Sequence, residues 1–579
     1  MLYCLSMQQF NFFSVFNSKK GLMFKLKLTK LLIVSLLLTC LSNQSFSQSL
    51  NDSVKEKIDS IFQRFNSRSK PGAAVAIIKD GKVAFEKCYG MANLEYDIAL
   101  TYSSAFDIAS VSKQFTGFAI ATLIEQGKIN LNDDIRKYLP LVPSFGKPIT
   151  IRHLLYHTSG LRDWPGALQT AGWKYTELAS FNDVMRMISK QKELDFETGT
   201  QYSYCNLGYN LLAAIVEKVS GQSFKNWTKE NIFTKLGMAS SSFWDDNSLL
   251  TKNMAYSYYL DNGEYGNYPN ANTAYGSSTL RTTLEDLTRW SIFFQNGLLS
   301  KNPVIVRMIE NGTLDNGDPI NYGFGLEVRY DKATPTIVFH TGAWAGYRTI
   351  IKNHIPENIT FIILSNADDN YAIESASLLS NLFIDQNSRS SSEPKATKLN
   401  VDPKLLEKYT GLYEWSGGVL NITLENKQLF LQYTGEPKFP LTAQNDSSFL
   451  LEIADKAVTF KKSKNGNCEK LMFQSVEGTK MKTETYKHAP ATDYLGTYYS
   501  NELFVEYTID IINKKLYIHN FRRGDFEITA SDYINDLFMS DIGRLKFYRN
   551  ANGKVIGFKL TGQSNRNILF EKVKRIVIK

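Results

Sequence analysis

The final third of this chain is written twice. Tyr409-Thr-Gly411-Leu-Tyr413 returns as Tyr494-Leu-Gly496-Thr-Tyr498, Asn426-Lys-Gln-Leu429-Phe430 as Asn513-Lys-Lys-Leu516-Tyr517, and Leu441-Thr-Ala443 as Ile528-Thr-Ala530. Three matches in one order, at a period of about 85 residues, argue for two copies of a single unit. Each copy is a series of short apolar and aromatic runs broken by turn residues, such as Val458 to Lys461 before Lys464-Asn465-Gly466 and Lys546 to Arg549 before Asn552-Gly553. That is the pattern of antiparallel strands joined by tight turns. A unit of this length built from short strands closes into a small barrel or sandwich, so residues 401–487 and 488–579 are expected to be two antiparallel β-barrel-like domains.

The chain ahead of the repeats has a different texture. Residues 51–385 alternate helical and strand-like segments, with Val75 to Ile78 and Val83 to Tyr89 reading as a hairpin that turns at Asp80-Gly81. Residues 386–400 (QNSRSSSEPKATKLN) are polar, serine-rich and without periodicity, which marks a linker. A chain of 579 residues, 43% of them hydrophobic, has material for several cores.

Residues 1–47 read as an export signal. Lys25, Lys27 and Lys30 precede the apolar run Leu31 to Leu41, and Ser45-Phe46-Ser47 puts small residues three and one positions before a cleavage site after Ser47. The run is shorter than the roughly 20 residues of a membrane span. No integral span is therefore expected after cleavage, and the mature protein is expected in the periplasm or outside the cell. Met23 fits the initiator better than Met1, because residues 1–22 only extend the basic end of the signal. Leu37-Leu38-Thr39-Cys40 loosely resembles a lipid-attachment motif, with threonine where a small residue is usual, so lipidation at Cys40 is the secondary reading.

Charge and cysteine usage exclude several functions. Of the formal net charge of +9, five lysines stand before residue 48 without an acid, leaving +4 on the processed chain. This is no nucleic-acid footprint. Cys88, Cys205 and Cys468 are too few and too scattered for a disulfide framework or a paired-cysteine metal site, and the six histidines show no ligand spacing. Neither metal nor cofactor is expected, and the composition leaves the oligomeric state open.

What remains is nucleophilic chemistry. Serine reacts at neutral pH only where a base takes its proton and donors stabilise the oxyanion that forms. Phe106-Asp-Ile-Ala-Ser110-Val-Ser-Lys113-Gln leads into a helical pattern through Phe115, Phe118, Ala119, Thr122, Leu123 and Ile124, closed by Gly127 as C-cap. Ser110 is thus expected to open a helix. Lys113 then shares its face at a rise of ~4.5 Å, the helix N-terminus favours a developing anion, and a partly desolvated lysine can serve as base. SxxK alone is weak: Ser67 to Lys70, Ser189 to Lys192 and Ser392 to Lys395 also match, and an N-cap serine with a solvated lysine fits the same letters.

Two further motifs decide for Ser110. Tyr204-Cys-Asn206 lies in Thr198-Gly-Thr-Gln-Tyr-Ser-Tyr204-Cys-Asn206-Leu-Gly-Tyr, and His340-Thr-Gly342 follows the apolar run Ile337 to Phe339. The order SxxK, YxN, HxG, together with Ile149-Thr-Ile-Arg-His-Leu-Leu-Tyr-His157-Thr-Ser-Gly160-Leu, resembles the β-lactamase-related serine hydrolases, a superfamily of class C β-lactamases, penicillin-binding D-alanyl-D-alanine peptidases, D-aminopeptidases and esterases. The resemblance covers residues 55 to 385.

It implies a β-lactamase-like fold, in which helices flank an antiparallel sheet beside a helical lobe and Ser110 lies in the cleft between them. It implies Ser110 as nucleophile, Lys113 as its base, Tyr204 as proton shuttle and Asn206 as a substrate-amide contact. Thr341, Gly342 and Ala343 would line the substrate strand, with the backbone N–H groups of Ala343 and Ser110 as oxyanion hole. His340 stands where β-lactamases carry lysine and matches the variant seen in D-aminopeptidases; it would act beside Tyr204. Arg348 would hold a substrate carboxylate in place of that lysine, Trp344 and Tyr347 are wall candidates, Ser278 a cap or lining residue, and His157 structural. The activity implied is hydrolysis of an amide or ester in a small-molecule or peptide substrate, D-amino-acid peptides included, through a Ser110 acyl-enzyme. Carboxylesterase, β-lactamase and slow-turnover penicillin receptor are the alternatives.

Overall fold

The computed structural model describes residues 50–369, 371–384 and 401–573, apart from the short stretches 416–417, 434–437, 452–455, 464–467, 474–475, 482–488, 532–534 and 563–564. The expected signal, the Cys40 reading and the linker fall outside the described residues.

Helix α1 (Asp52–Phe62) starts where Asn51 Oδ1 accepts from the Val54 N–H at 2.9 Å. It is followed by the hairpin of β1 (Ala73–Lys79) and β2 (Lys82–Tyr89). Ala73 to Ile78 are wholly buried, as an unbroken apolar run must be when both faces of its sheet are covered. Helix α2 (Lys113–Glu125) is buried on most sides and packs against α3 (Asn206–Ser220). A long helix, α4 (Leu284–Leu299), precedes β3 (Glu327–Asp331), β4 (Thr334–Trp344), β5 (Tyr347–His354) and β6 (Ile359–Ser365), and α5 (Tyr371–Phe383) closes this part.

The main sheet runs β3-β4-β5-β6-β1-β2, each neighbouring pair antiparallel. Consecutive residues of β5 show which helix covers which face. Asn353 Oδ1 accepts from Thr360 Oγ1, to which Gln295 of α4 donates at 2.7 Å, whereas the next residue, His354, meets Ser380 of α5 at 2.9 Å. Side chains alternate along a strand, so α4 and α5 lie on opposite faces. Shorter helices, including Ile151–Leu155, Trp164–Thr170 and Phe181–Ile188, build the helical lobe beside the sheet with α3.

The repeats form two nine-stranded antiparallel sheets, from Gly411–Trp415 to Val476–Lys480 and from Gly496–Ser500 to Ile568–Val573. In the first, the two strands at the ends of the spatial order, Lys438–Pro440 and Thr442–Ala443, are consecutive in the chain, and the corresponding strands of the second are Gly524–Glu527 and Thr529–Ala530. A sheet whose edge strands are neighbours in sequence must curl back on itself, which gives the barrel-like shape.

The repeated letters have repeated reasons. Tyr413 and Tyr498 are fully buried, and each hydroxyl donates to the carbonyl four residues back, Tyr409 O at 2.8 Å and Tyr494 O at 2.6 Å. Asn426-Lys427 and Asn513-Lys514 all have φ between +49° and +68°, the two left-handed residues of a two-residue hairpin turn.

The copies differ in attachment. Leu406, Tyr413, Phe449, Phe460 and their neighbours close a separate core, while the aromatic core of the second copy is continuous with that of residues 51–385. Among the described residues no helix is long and apolar enough to cross a membrane, and no cluster of three His, Cys, Asp or Glu is set to hold a metal. Cys88, Cys205 and Cys468 are free thiols.

Candidate active site

The turn that carries Ser110 is unusual at its first residue. Ala109 has φ +48°, a conformation costly for an L-residue. Its N–H donates to Asp107 Oδ1 at 2.8 Å, and Asp107 is itself buried and receives Asn270 Nδ2 at 2.8 Å. Residues 109–112 form one tight 3-10 turn before α2 begins at Lys113, a common way to enter a helix. The expected helix start at Ser110 is therefore a 3-10 turn, and α2 follows it.

Lys113 is completely buried. Its Nζ lies 3.1 Å from Ser110 Oγ, 2.7 Å from Asn206 Oδ1 and 2.8 Å from Ser277 O. Burial pushes its pKa down to about 7, although the nearby Asp163 carboxylate pulls in the opposite direction. The hydrogen-bond inventory then becomes specific. Asn206 Nδ2 donates to Asp163 at 3.1 and 3.2 Å, which leaves Oδ1 to face the lysine, and Ser277 O can only accept. A neutral Lys113 therefore gives its two N–H bonds to these acceptors and directs its lone pair at the Ser110 hydroxyl. This is the geometry of a base poised on a serine.

Asn206 is thus occupied at both ends of its amide, and its backbone N–H also donates to Asp163 Oδ1 at 2.7 Å. The site positions it as the holder of the lysine, and it also lines the cleft beside Ser110 and Tyr204. Asp163, with its pKa raised to about 6 by burial, was not marked by the sequence. The only signal was local: an aspartate before Trp164-Pro165 reads as a helix N-cap.

Tyr204 keeps about a third of its surface open toward the cleft, hydrogen-bonds Ser110, and lies under Lys113 Nζ, 4.8 Å from its ring centre. Burial of its hydroxyl end holds the phenol well above its ordinary pKa, so it is protonated. His340, expected to act beside it, is neutral. Burial and the neighbouring Lys113 push its pKa down to about 3. Its Nδ1 lies 2.6 Å from Thr341 O and so carries the proton, while Nε2 accepts from Tyr322 Oη at 2.9 Å. Tyr322 carried no sequence signal. His157 accepts from the Cys205 N–H through Nδ1 at 3.0 Å and packs its ring 4.5 Å from that of Tyr204.

Strand β4 forms the opposite rim. A Cβ on Gly342 would sit 2.3 Å from both Ile108 O and Thr349 Oγ1; glycine alone lets the strand lie against the chain two residues before Ser110. Trp344 and Tyr347 flank the two-residue turn Ala345-Gly346. Because antiparallel pairs alternate, the next pair, Ala343 with Arg348, is the one without mutual hydrogen bonds, and its N–H groups point away from the partner strand. Gly346 is itself required, since a Cβ there would meet the Tyr258 backbone at 2.5 Å, and the positive φ of the turn falls on Ala345.

Ser110, Tyr204, Asn206, His340, Thr341, Ala343 and Arg348 line one cleft of about 420 Å3. Arg348 gives Nη1 to the carbonyls of Ala345 and Tyr347, each at 2.9 Å. Trp164, Tyr175 and Trp344 pack together as an aromatic wall, with ring centres 5.2 and 5.6 Å from Trp344. Tyr347, expected in the wall, is buried and donates to Ala255 O at 2.7 Å, so it supports β5 from behind. Ser278 lines the cleft and accepts from Asn272 Nδ2 at 3.0 Å. Glu327, unmarked by the sequence, adds a half-buried carboxylate to the lining; burial raises its pKa, while Arg329 and Lys456 favour its ionised form.

The family model for Beta-lactamase matches residues 58–378, which include the whole cleft and end before both barrels. This chain belongs to that family. Its members are serine hydrolases. A penicillin-binding protein of Bacillus subtilis (strain 168) is 28% identical over 432 residues, 70% of this chain and 93% of that protein. A D-aminopeptidase of Gluconobacter oxydans is 27% identical over 335 residues, 57% of this chain and 62% of that protein, so the match spans less than two thirds of that relative. Among solved structures, the crystal structure of SurE superposes on 74% of this chain and 98% of its own, with a TM-score of 0.55 and 19% identity, a likeness of fold. Family and fold agree with the β-lactamase-like architecture expected from the motifs.

Proposed function

We propose that the protein is an exported serine hydrolase that cleaves an amide or ester bond in a small peptide, D-residue peptides included, through an acyl-enzyme on Ser110. The observation that carries this reading is the bonding of Lys113, whose two fixed acceptors leave its lone pair to Ser110 Oγ at 3.1 Å. Lys113 takes the hydroxyl proton as Oγ bonds to the substrate carbonyl carbon. The oxyanion is held by the backbone N–H groups of Ser110 and Ala343; one such donor is worth ~10² to 10³ in rate. Collapse of the adduct expels the amine or alcohol, which takes the Tyr204 proton, and Lys113 returns one to the phenol. Water, deprotonated by the same pair, then attacks the ester carbonyl and restores Ser110.

Every step uses groups of the chain itself, so the reading calls for no metal or cofactor. The substrate class is supported by the D-aminopeptidase relative and by SurE, whose structure was also solved with D-Leu. The aromatic wall suits an apolar side chain beside the scissile bond, and Arg348 suits a carboxylate. Export is supported by the signal pattern of residues 1–47. The relative named as a penicillin-binding protein favours a second reading, a receptor acylated by penicillin and deacylated slowly.

Intact mass spectrometry separates these. The wild type and a Ser110→Ala variant are incubated with a fluorophosphonate and, separately, with a penicillin. One fluorophosphonate adduct, absent from the variant, is expected; no adduct on either protein refutes the hydrolase reading. A penicillin adduct that persists for hours favours the receptor. Turnover of D-aminoacyl p-nitroanilides in preference to L-isomers supports the peptidase.

A further inference from the structure

Directly before Asp163 stands a residue facing the other way. Arg162 is 1% exposed, yet its guanidinium belongs to the interface with the second barrel. Nε donates to Glu502 Oε1 at 2.5 Å, Nη1 to Asp195 Oδ1 at 2.5 Å and to Arg566 O, and Nη2 to Asn567 O at 3.3 Å. Three of the four acceptors come from the barrel. Asp195 also accepts the Arg566 N–H at 2.9 Å, so the pair is tied across the interface twice. Arg162 and Asp163 lie where Cys205 Sγ reaches the carbonyls of Leu161 and Arg162, immediately before the helix Trp164–Thr170.

We infer that the second barrel is part of the catalytic machinery: by holding Arg162 through Glu502, it fixes Asp163, and through Asp163 the Asn206 amide that orients Lys113. The inference rests on the reading of Ser110 and Lys113 given above. A buried guanidinium must have its donors satisfied. Without the barrel's acceptors the segment around Arg162 has to move, and Asp163, its chain neighbour, moves with it. Asp163 is the sole anchor recorded for Asn206 Nδ2 among the described residues, so the lysine loses one of the two acceptors that aim its lone pair. Glu502 and Arg162 are positioning residues; neither lines the cleft. The first barrel, which keeps a core of its own, has no part in this chain of contacts.

The test uses full-length protein and a fluorophosphonate, with the acylation rate followed across pH. Glu502→Gln removes the charge from the barrel side, and Arg162→Lys keeps the cation while losing the fork that reaches several acceptors. Both are expected to acylate more slowly by about tenfold or more, approaching the ~10² that a 1 Å misplacement of a reacting group costs. They are also expected to shift the rising limb of the pH profile downward, because Asp163 and the Asn206 Oδ1, which both favour the charged amine, are drawn away from a lysine that stays buried. The groups facing Lys113 from the elements around it are Tyr204, Tyr209, Asp163, Cys205, His157 and His340, all unchanged in both variants. Arg522→Ala, which breaks the surface pair with Glu177 elsewhere on the same interface, is expected to leave rate and limb unchanged.

Folded Glu502→Gln or Arg162→Lys protein with wild-type rate and limb overturns the inference. So does an Arg522→Ala variant slowed to the same degree, since that is general loosening of the interface. A wild type that forms no adduct refutes the underlying hydrolase reading instead.

Discussion

A base kept neutral by burial should cost the protein stability in a pH-dependent way, and Lys113 makes that cost measurable. In the unfolded chain its pKa is that of free lysine, 10.5, whereas in the fold it is about 7. Between these values the unfolded chain holds a proton that the folded protein lacks, so stability contributed by this group rises with pH over that window and falls as pH drops toward 7. Each unit of pH in which only the unfolded state is protonated is worth about 1.4 kcal/mol. From pH 7 to 9 the folded lysine goes from half protonated to nearly neutral, which gives a gain of about 2 kcal/mol. A Lys113→Met variant lacks this titration and retains all others. The difference in unfolding free energy, wild type minus variant, should therefore increase by about 2 kcal/mol between pH 7 and pH 9. Urea unfolding followed by tryptophan fluorescence suits the measurement, because six of the seven tryptophans lie in residues 51–385. Parallel stabilities at the two pH values would refute the neutral lysine and with it the account of how Ser110 is activated.

The same lysine sets the chemistry: fluorophosphonate acylation of the wild type should rise with pH through a midpoint near 7, and a flat profile from pH 5 to 9 would contradict a lysine base. Gly342→Ala puts a Cβ 2.3 Å from Ile108 O, which forces β4 away from Ser110 and should lower the acylation rate by ~10² or more, the scale of a lost oxyanion donor; a stable variant with wild-type rate would remove β4 from the oxyanion site. Glu327→Gln takes a negative charge from the lining of the cleft and should speed acylation by carboxylate-bearing penicillins severalfold while leaving an uncharged fluorophosphonate unaffected; equal effects on both probes would rule out a charge-selective role.

What could be read from the letters, and what could not, divides along one line. Ser110 and Lys113 are three residues apart on one helical entry, and the pairs Asn426-Lys427 and Asn513-Lys514 specify a hairpin turn, so local geometry carried them. Tyr204, His340 and Ala343 were legible through a resemblance of motifs, since nothing local joins residues 110, 204 and 340. Asp163, Tyr322 and Glu327 act across the fold on partners 18 to 43 positions away or on the open cleft, and in sequence they are an N-cap, a loop tyrosine and a strand-end acid. How far the His340 pKa falls was equally hidden, because it depends on burial and on Lys113 rather than on its neighbours in the chain. The repeats predicted two barrels but not that only one shares the core of the residues before it.

That asymmetry bears on how the cleft works. Lys113 near its midpoint, Tyr204 protonated and His340 neutral leave a catalytic centre with movable protons and little fixed charge. Such a centre depends on geometry more than on Coulomb attraction: a neutral amine is a base for Ser110 only while its N–H bonds are committed elsewhere. The commitment runs through Ser277 O on one side and through Asn206 and Asp163 on the other. Fixed charge is instead placed one layer out, where the Arg162 guanidinium is paired with both Asp195 and Glu502 under cover. Burial raises the pKa of both acids while the Arg162 guanidinium pulls it the other way, so each carboxylate depends on a guanidinium that the seated barrel helps to hold. A barrel that shares its core with the catalytic part keeps that cover in place, which a tethered module with a core of its own would not.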